Sequence, residues 1–333
     1  MLLLEKLVDP YGRIINYLRL SVTEHCNLNC VYCRSEQQVC RAGVKEEVLT
    51  IQECLAIAEA AVELGMTRIR LTGGEPLVHP DILDIISGIS RMDGLMDLSM
   101  TTNAVLLDSM AFKLAEAGLD RVNISLDSLD EETYRRITRG GKLYKTLNGI
   151  EKALQAGLTP VKINMLLLKG VNDHEIRRFV ALTLDKELDV RFIEYMPFLG
   201  QENWQQYYLP LDRVMEIASA IAPLVPVKGE HGGPAKYYRL QGASGKIGLI
   251  PTLSRHICSV CNRLRVTPAC TIKPCLFSAD EIDLKPGLSD KEVLKEKFRA
   301  ALKLKPDPAR VYCSPYERVK QFQGKRFMTQ IGG

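Results

Sequence analysis

The sequence predicts an α/β chain, an open, partial (β/α)6 barrel of the TIM type followed by a smaller C-terminal extension. Three observations carry this reading. Six short β-branched or apolar runs alternate with helical patterns between residue 17 and about residue 221, the arrangement of βαβ units and a parallel sheet. Glycines stand where three of the helices should stop, at Gly65, Gly118 and Gly157. After residue 222 the alternation ends and short strand-like pieces mixed with glycine and proline take over. Six units fall two short of a closed eight-stranded barrel, so an open barrel is expected, with residues 1–222 as one domain and 223–333 as the extension across its mouth.

Taken in order, the strand candidates are YLRLSV (17–22), TRIRLTG (67–73), LMDLSMTT (95–102), RVNISLD (121–127), PVKINMLLL (160–168) and VRFIEYM (190–196). Helix candidates lie near 50–64, 80–91, 105–117, 143–156, 173–185 and 210–221. Thr50 followed by Glu53 forms a capping box ahead of the first of them. In the extension, VPVKGEHGGPAK reads as loop, AKYYRL, KIGLI and NRLRVT as short strands, and a lone helix follows at about 289–303. Ligand chemistry in such an arrangement belongs at the C-terminal ends of the strands.

Composition bounds the function. Of 333 residues, 46% are hydrophobic and 25% charged, enough to fill a core. A net charge of +4 is too weak to argue for nucleic acid and suits a local basic patch for a phosphorylated small molecule. No run of about 18 apolar residues predicts a membrane span. The start, MLLLEKLVDPYGR, lacks the basic region of a signal peptide, so a cytoplasmic protein is expected. Its ten cysteines then argue for metal rather than disulfides, because most of them are grouped.

Cys26, Cys30 and Cys33 follow directly on the first predicted strand. Three thiolates on a loop can hold three irons of a [4Fe–4S] cubane and leave the fourth open, and a structural zinc with a distant fourth ligand is the alternative. Gly73-Gly74-Glu75-Pro76 ends the second strand, where two glycines let a ligand approach the backbone. The segment CNLNCVYC, with Tyr32 between its last two cysteines, resembles the CxxxCxxC motif of the radical S-adenosylmethionine superfamily. The resemblance implies that the open iron chelates S-adenosyl-L-methionine and that Gly73, Gly74 and Glu75 receive its amino group. Thr102, Asn103, Ser125 and Asp127 resemble polar positions that touch the same cofactor, as does Tyr32.

Cys258, Cys261 and Cys275, with Cys270 between them, admit two readings: a four-cysteine zinc site, or a second cubane with an open iron. Arg263 and Arg265, two residues apart on a predicted strand, share one side of it and suit a polyphosphate, which favours the second. Over residues 10–333 the order LRLSVTEHCNLNCVYC, RIRLTGGEP, MTTNA, RVNISLDSL, VKINMLLLKGVND, VRFIEYMPF, GPAKYYRL, GKIGLI, CSVCNRLRVT, PCLF and a final GG resembles the GTP 3′,8-cyclase family.

That resemblance implies two [4Fe–4S] clusters, held by Cys26, Cys30 and Cys33 and by Cys258, Cys261 and Cys275. Arg19, Arg68, Arg70, Lys162, Arg191, Asn262, Arg263 and Arg265 match positions around the nucleotide. Gly332 and Gly333 match a tail that enters the active site and positions an arginine. The implied reaction is radical cyclisation of GTP between ribose C3′ and guanine C8, the first step of molybdenum cofactor biosynthesis. Implied partners are a reductant such as ferredoxin or flavodoxin and, for product handover, cyclic pyranopterin monophosphate synthase. The chain is expected as a monomer or homodimer. Independently of the family, Arg19, Arg70 and Arg191 sit within predicted strands between apolar neighbours, so each must face a lumen or meet a partner.

The sequence also departs from the family. Cys270 replaces a glycine, which leaves it a bystander, a fourth ligand or an alternative one. Arg68 stands where lysine is common and His25 where arginine is, and RSEQQVCRAG after Cys33 lacks the usual proline. Cys40 reads as a free thiol and Trp204 as a packing residue. His79, His174, His231 and His256 show no metal spacing.

Overall fold

The computed structural model describes residues 6–34, 46–197, 203–229, 233–255, 258–309, 315–320, 322 and 326–332. Six βα units are present as the alternation predicts. Their strands are β1 (Tyr17–Ser21), β2 (Arg68–Thr72), β3 (Asp97–Thr102), β4 (Arg121–Ser125), β5 (Val161–Leu167) and β6 (Leu188–Glu194). Between and after them run α1 (Ile51–Glu63), α2 (Ile82–Ser90), α3 (Leu107–Glu116), α4 (Glu131–Thr138), α5 (Leu143–Gln155), α6 (Ile176–Asp185) and α7 (Asp212–Ser219). The capping box of α1 is in place: Glu53 N–H donates to Thr50 Oγ1 at 3.2 Å and Thr50 N–H to Glu53 Oε2 at 2.8 Å. Gly65, Gly118 and Gly157 take φ of +84°, +99° and +73°, the left-handed conformation that ends a helix.

The C-terminal region adds β7 (Leu224–Val227), β8 (Lys236–Leu240), β9 (Lys246–Ile250), β10 (Arg263–Val266), β11 (Thr271–Lys273) and β12 (Ile282–Asp283), with α8 (Lys291–Lys303) and α9 (Pro315–Lys320). All twelve strands form one sheet in the order β12-β11-β10-β1-β2-β3-β4-β5-β6-β9-β8-β7. β10 pairs parallel with β1 and β9 parallel with β6, so the C-terminal region extends the parallel run at both edges before antiparallel strands end it.

Four expectations need correction. LVPV, at the head of the stretch read as loop, pairs with β8 as strand β7. The helix at 291–303 is not alone, since α9 follows it. β6 begins and ends two residues earlier than expected, because Leu188 and Asp189 continue the pairing with Val161 and Lys162. α4 was not anticipated: EETYRRIT offers Thr133, Tyr134, Ile137 and Thr138 as its buried residues, too sparse an apolar stripe for the pattern.

Parallel strands buried on both faces usually read as continuous apolar runs. These alternate instead. Leu18 and Leu20 of β1, Ile69 and Leu71 of β2, Val122 and Ile124 of β4, and Val190 and Phe192 of β6 join the main apolar core. The intervening residues form the opposite face, and the register aligns them in rows. One row runs Arg265, Arg19, Arg70, Ser99, Arg121 across β10, β1, β2, β3 and β4. A second runs Asn123, Lys162, Asp189, and a third Ser125, Asn164, Arg191, Gly248.

Candidate active site

The polar face gathers buried cations. Arg19 is 9% exposed, Arg191 8%, Arg265 6% and Lys162 4%. Neutral groups orient several of them. Arg191 donates through Nε to Asn164 Oδ1 at 2.8 Å and through Nη2 to Asn123 Oδ1 at 2.6 Å. Gly248 makes room for this pose, since a Cβ there would come within 2.7 Å of Arg191 Cγ. Arg70 donates to Ser99 Oγ at 3.2 Å and lies 5.3 Å from the Tyr17 ring centre. Lys162 pairs with Asp189 at 3.0 Å and lies 5.4 Å from the Tyr237 ring centre.

Burial and then the neighbouring Arg265 hold Arg19 well below the ordinary arginine range. Burial, opposed by Tyr17 and reinforced by Arg19, brings Arg70 to about 9. Burial and Arg263 bring Arg265 to about 10. Cations that lower one another in this way are relieved by an anion placed among them. The same face carries Tyr17 OH, Ser21 Oγ, Thr72 Oγ1, Thr101 Oγ1 and Arg121 Nη1, all buried and without a hydrogen-bond partner among the described residues. Buried polar atoms are normally paired, so these mark a site for a ligand or water. Tyr17, Thr101 and Arg121 were not singled out from the sequence, although Tyr17 shares the strand parity of Arg19 and Arg121 that of Asn123. Arg68 is half-buried on β2 beside Tyr17. Asn262 accepts from Tyr17 N–H at 3.2 Å through its carbonyl and donates through Nδ2 to Asn16 Oδ1 at 2.7 Å.

Cys26, Cys30 and Cys33 lie half-buried on the loop after β1, with their thiols free of disulfides. The unanticipated helix α4 braces this loop. Asn29 N–H donates to Thr138 O at 3.2 Å, Val31 N–H to Ile137 O at 2.9 Å, and Arg139 just beyond reaches Arg34 O at 3.0 Å. The GGEP turn packs from the other side. A Cβ at Gly73 would lie 2.7 Å from Thr23 O, and one at Gly74 would run into the carbonyls of Glu24 and His25. Glu75, 1% exposed, accepts from Thr102 Oγ1 at 2.6 Å, Asn103 N–H at 2.7 Å and Leu77 N–H at 3.2 Å. That ties GGEP to the end of β3 and leaves the carboxylate about one of its roughly four acceptor sites. Burial outweighs these bonds and lifts Glu75 to about 7. Tyr32 donates to Asp127 Oδ2 at 2.5 Å, and Leu166 N–H donates to Asp127 Oδ1 at 2.8 Å. Ser125, half-buried, ends β4. His25 pairs with Glu46.

Burial pushes the Cys26 thiol up to about 11, and burial with Cys26 pushes Cys33 up to about 12. Cys30 rises well above the ordinary range through burial and Cys33. Thiols so close that they raise one another resist ionising unless a metal supplies the positive charge, so the donor set fits an iron–sulfur group. Among the described residues, no three His, Cys, Asp or Glu side chains gather as a site for one metal ion. A cubane asks instead for three thiolates on three separate corners.

The distal thiols Cys258, Cys261 and Cys275 are half-buried and free of disulfides. Two buried cations fix their backbone. Arg13, held by Asp9 at 2.6 Å, donates to Cys258 O at 2.8 Å and Pro306 O at 2.9 Å. Lys305, 3% exposed, donates to Arg263 O at 2.9 Å and Pro274 O at 3.1 Å. Burial pushes Cys261 up, but Arg263 and Lys305 outweigh it and bring the thiol down to about 6. Cys261 therefore ionises readily at neutral pH. Cys270 differs: it is fully buried in the main apolar core with Cys54, at φ +60°. After burial, the groups that act on its thiol are Glu53, Asp283 and Lys285, not the other three cysteines.

The C-terminal segment enters the polar face. Gly332, at φ +80°, packs so that a Cβ would lie 2.9 Å from Ser21 Cβ and strike Thr72 Oγ1. Its carbonyl accepts from Arg265 Nη1 at 2.9 Å. Upstream, Arg326 donates to both oxygens of Glu281, from Nε at 2.7 and 2.9 Å, and Lys273 reaches Glu281 Oε1 at 2.9 Å. Trp204 packs in a small cluster with Leu168, Tyr195 and Leu253, as read from the sequence. His79 bonds Leu49 O through Nε2 at 2.8 Å and accepts from Asp81 N–H through Nδ1 at 3.1 Å. Gly333, Cys40, Cys313, His231, His256 and most of RSEQQVCRAG lie outside the described residues.

The chain matches known proteins over most of its length. Residues 20–183 match the profile of the Radical SAM superfamily and residues 188–311 that of Molybdenum Cofactor Synthesis C. The chain is similar to the GTP 3′,8-cyclase of Petrotoga mobilis, at 43% identity over 98% of this chain and 100% of that one. It is similar to that of Geobacter sulfurreducens, at 45% identity over 91% and 93%. Among solved structures, SuiB of Streptococcus suis bound to S-adenosylmethionine shares the fold, with a TM-score of 0.59 and 14% identity over 86% of this chain and 69% of that one. No described helix is long and apolar enough to cross a membrane.

Proposed function

Because the chain belongs to the GTP 3′,8-cyclase family of radical S-adenosylmethionine enzymes, we propose that its polar sheet face is the chamber in which GTP is cyclised between two iron–sulfur sites. The reaction converts GTP to (8S)-3′,8-cyclo-7,8-dihydroguanosine 5′-triphosphate, the first step of molybdenum cofactor biosynthesis. The observation that carries the reading is the row of Arg265, Arg19 and half-buried Arg70 on neighbouring parallel strands, with Cys26, Cys30 and Cys33 following β1 and Cys258 and Cys261 preceding β10.

In this reading the six βα units curl as a partial barrel and the C-terminal extension covers its mouth. Cys26, Cys30 and Cys33 hold one [4Fe–4S] cluster and Cys258, Cys261 and Cys275 the other. When bound, the clusters and S-adenosyl-L-methionine supply the electron and the carbon-centred radical that the chemistry needs.

The protein's own residues bind, orient and exclude. Gly73 and Gly74 bring bare backbone to the edge of the cofactor site, and the remaining acceptor site of Glu75 takes the methionine ammonium. Tyr32, Thr102, Asn103 and Ser125 line the same site, with Tyr32 fixed by Asp127. Arg19, Arg68, Arg70, Lys162, Arg191, Arg263 and Arg265 face the triphosphate and Asn262 the base. Arg191 is oriented by two amide oxygens before any ligand arrives, so little reorganisation accompanies binding. Thr101, whose buried hydroxyl has no partner among the described residues, belongs to the same lining. Gly332 presents its carbonyl to Arg265 and aims that guanidinium into the chamber. Closure by the tail keeps water and stray hydrogen donors away from the reacting carbons. A low-potential carrier such as ferredoxin or flavodoxin would deliver electrons, and the product would pass to cyclic pyranopterin monophosphate synthase.

The test is anaerobic. The protein is reconstituted with iron and sulfide and given dithionite, S-adenosylmethionine and GTP. 5′-Deoxyadenosine together with the cyclised nucleotide is expected. Deoxyadenosine alone would refute the substrate assignment, and about four rather than about eight irons per chain would refute the two-cluster reading.

A further inference from the structure

The chamber has a floor that the assignments above leave unused. Tyr17 opens β1, one row nearer the N-terminal strand ends than Arg19, in register with Arg263 and Arg68. The residue is 8% exposed and its hydroxyl is buried with no hydrogen-bond partner among the described residues. Arg121, 3% exposed, likewise keeps Nη1 buried and unbonded among the described residues.

The surroundings say what is missing. Arg70, Arg19 and Arg121 are close enough to act on the phenol, and all are donors. The nearby carboxylate, Asp97, has both oxygens engaged by Arg121, at 2.8 Å from Nε and 2.6 Å from Nη2. The phenolic hydrogen and the Arg121 Nη1 hydrogens have no acceptor among the described residues, in a field that favours a negative one.

We propose that Tyr17 and Arg121 Nη1 form a phosphate subsite on the chamber floor, donating to the phosphate chain of the bound nucleotide. The proposal rests on the chamber being the GTP site. An orphaned buried hydroxyl destabilises the empty protein, so removing it has opposite signs on folding and on binding.

The experiment compares wild type with Tyr17→Phe, both as reconstituted full-length protein under anaerobic conditions. Calorimetry measures binding of GTP and of guanosine, alongside iron content and the melting temperature of the ligand-free protein. Tyr17→Phe should bind GTP about tenfold more weakly, the scale of a hydrogen bond to a charged group. Guanosine affinity and iron content should not change, and the variant should melt at the same temperature or higher. Equal GTP affinity in the two proteins would overturn the subsite and assign the hydroxyl to water. An equal loss for GTP and guanosine would also overturn it, since Tyr17 would then shape the chamber rather than hold phosphate. Failure of wild type to bind GTP at all would instead remove the proposed function, and the subsite with it.

Discussion

Replacing Glu281 by glutamine should loosen the anchor of the C-terminal tail. Glu281 bridges Lys273, which is fully buried, and Arg326, which begins the described tail segment. Burial pushes the Glu281 carboxyl up, but hydrogen bonds from Arg326 and Lys273 outweigh it and bring it from about 4.5 to about 2. At full strength that difference is worth about 3 kcal/mol. The Arg326 side chain is 24% exposed, and screening there brings the expected loss to about 1–2 kcal/mol. A carboxylate depressed by folding stabilises fully above its unfolded value and loses that contribution as pH falls through the folded one. The stability gap between wild type and Glu281→Gln should therefore stay constant from pH 7 to about pH 5, shrink below about pH 4, and vanish near pH 2. Urea melts across that range measure the gap, and hydrogen exchange over residues 326–332 should quicken in the variant at pH 7. A gap that shrinks already between pH 7 and pH 5, or exchange in the tail that does not change, would refute the reasoning.

Three further perturbations separate the parts of the site. Gly74→Ala places a methyl against two backbone carbonyls that cannot swing aside, so the cysteine loop must move. Iron content should fall from about eight to about four per chain. Gly332→Ala combines a left-handed backbone, costing about 1–2 kcal/mol, with a clash at Ser21 and Thr72. Deoxyadenosine formation and iron content should persist while the cyclised nucleotide falls at least about tenfold, as product analysis would read. Cys270→Ser buries a hydroxyl in apolar surroundings at a cost of about 1–3 kcal/mol. The variant should melt lower yet keep about eight irons, and a drop to about four would make Cys270 a ligand.

Much of this architecture was legible because it is periodic. Arg19 between Leu18 and Leu20 could be placed on a face from the sequence, since strand side chains alternate and a charged side chain does not face an apolar core. The cap at Thr50 and the stops at Gly65, Gly118 and Gly157 are local, and the structure repeats them. What was illegible is set by distance. α4 is charged and short, and its purpose appears only when Thr138 and Ile137 meet the cysteine loop. Lys305 reads as one more surface lysine until folding brings it under Arg263 and Pro274, some 40 and 30 residues away. The Glu281 bridge to Arg326 spans 45 residues and no pattern announces it. Cys270, open from the sequence to being bystander or ligand, turns its side chain into the core beside Cys54.

The alternation of the sheet also bears on how stable the chain is without its ligand. One face of every central strand is satisfied by the helices, while the other keeps like charges together and hydroxyls waiting. Such a protein is weakest when empty. A ligand that binds only the folded chain, at a hundred times its dissociation constant, adds about 2.7 kcal/mol, comparable with losing or gaining a tyrosine's worth of core. Nucleotide supply would thus set not only the rate of turnover but the lifetime of the chain, with starved copies the first to open to proteases.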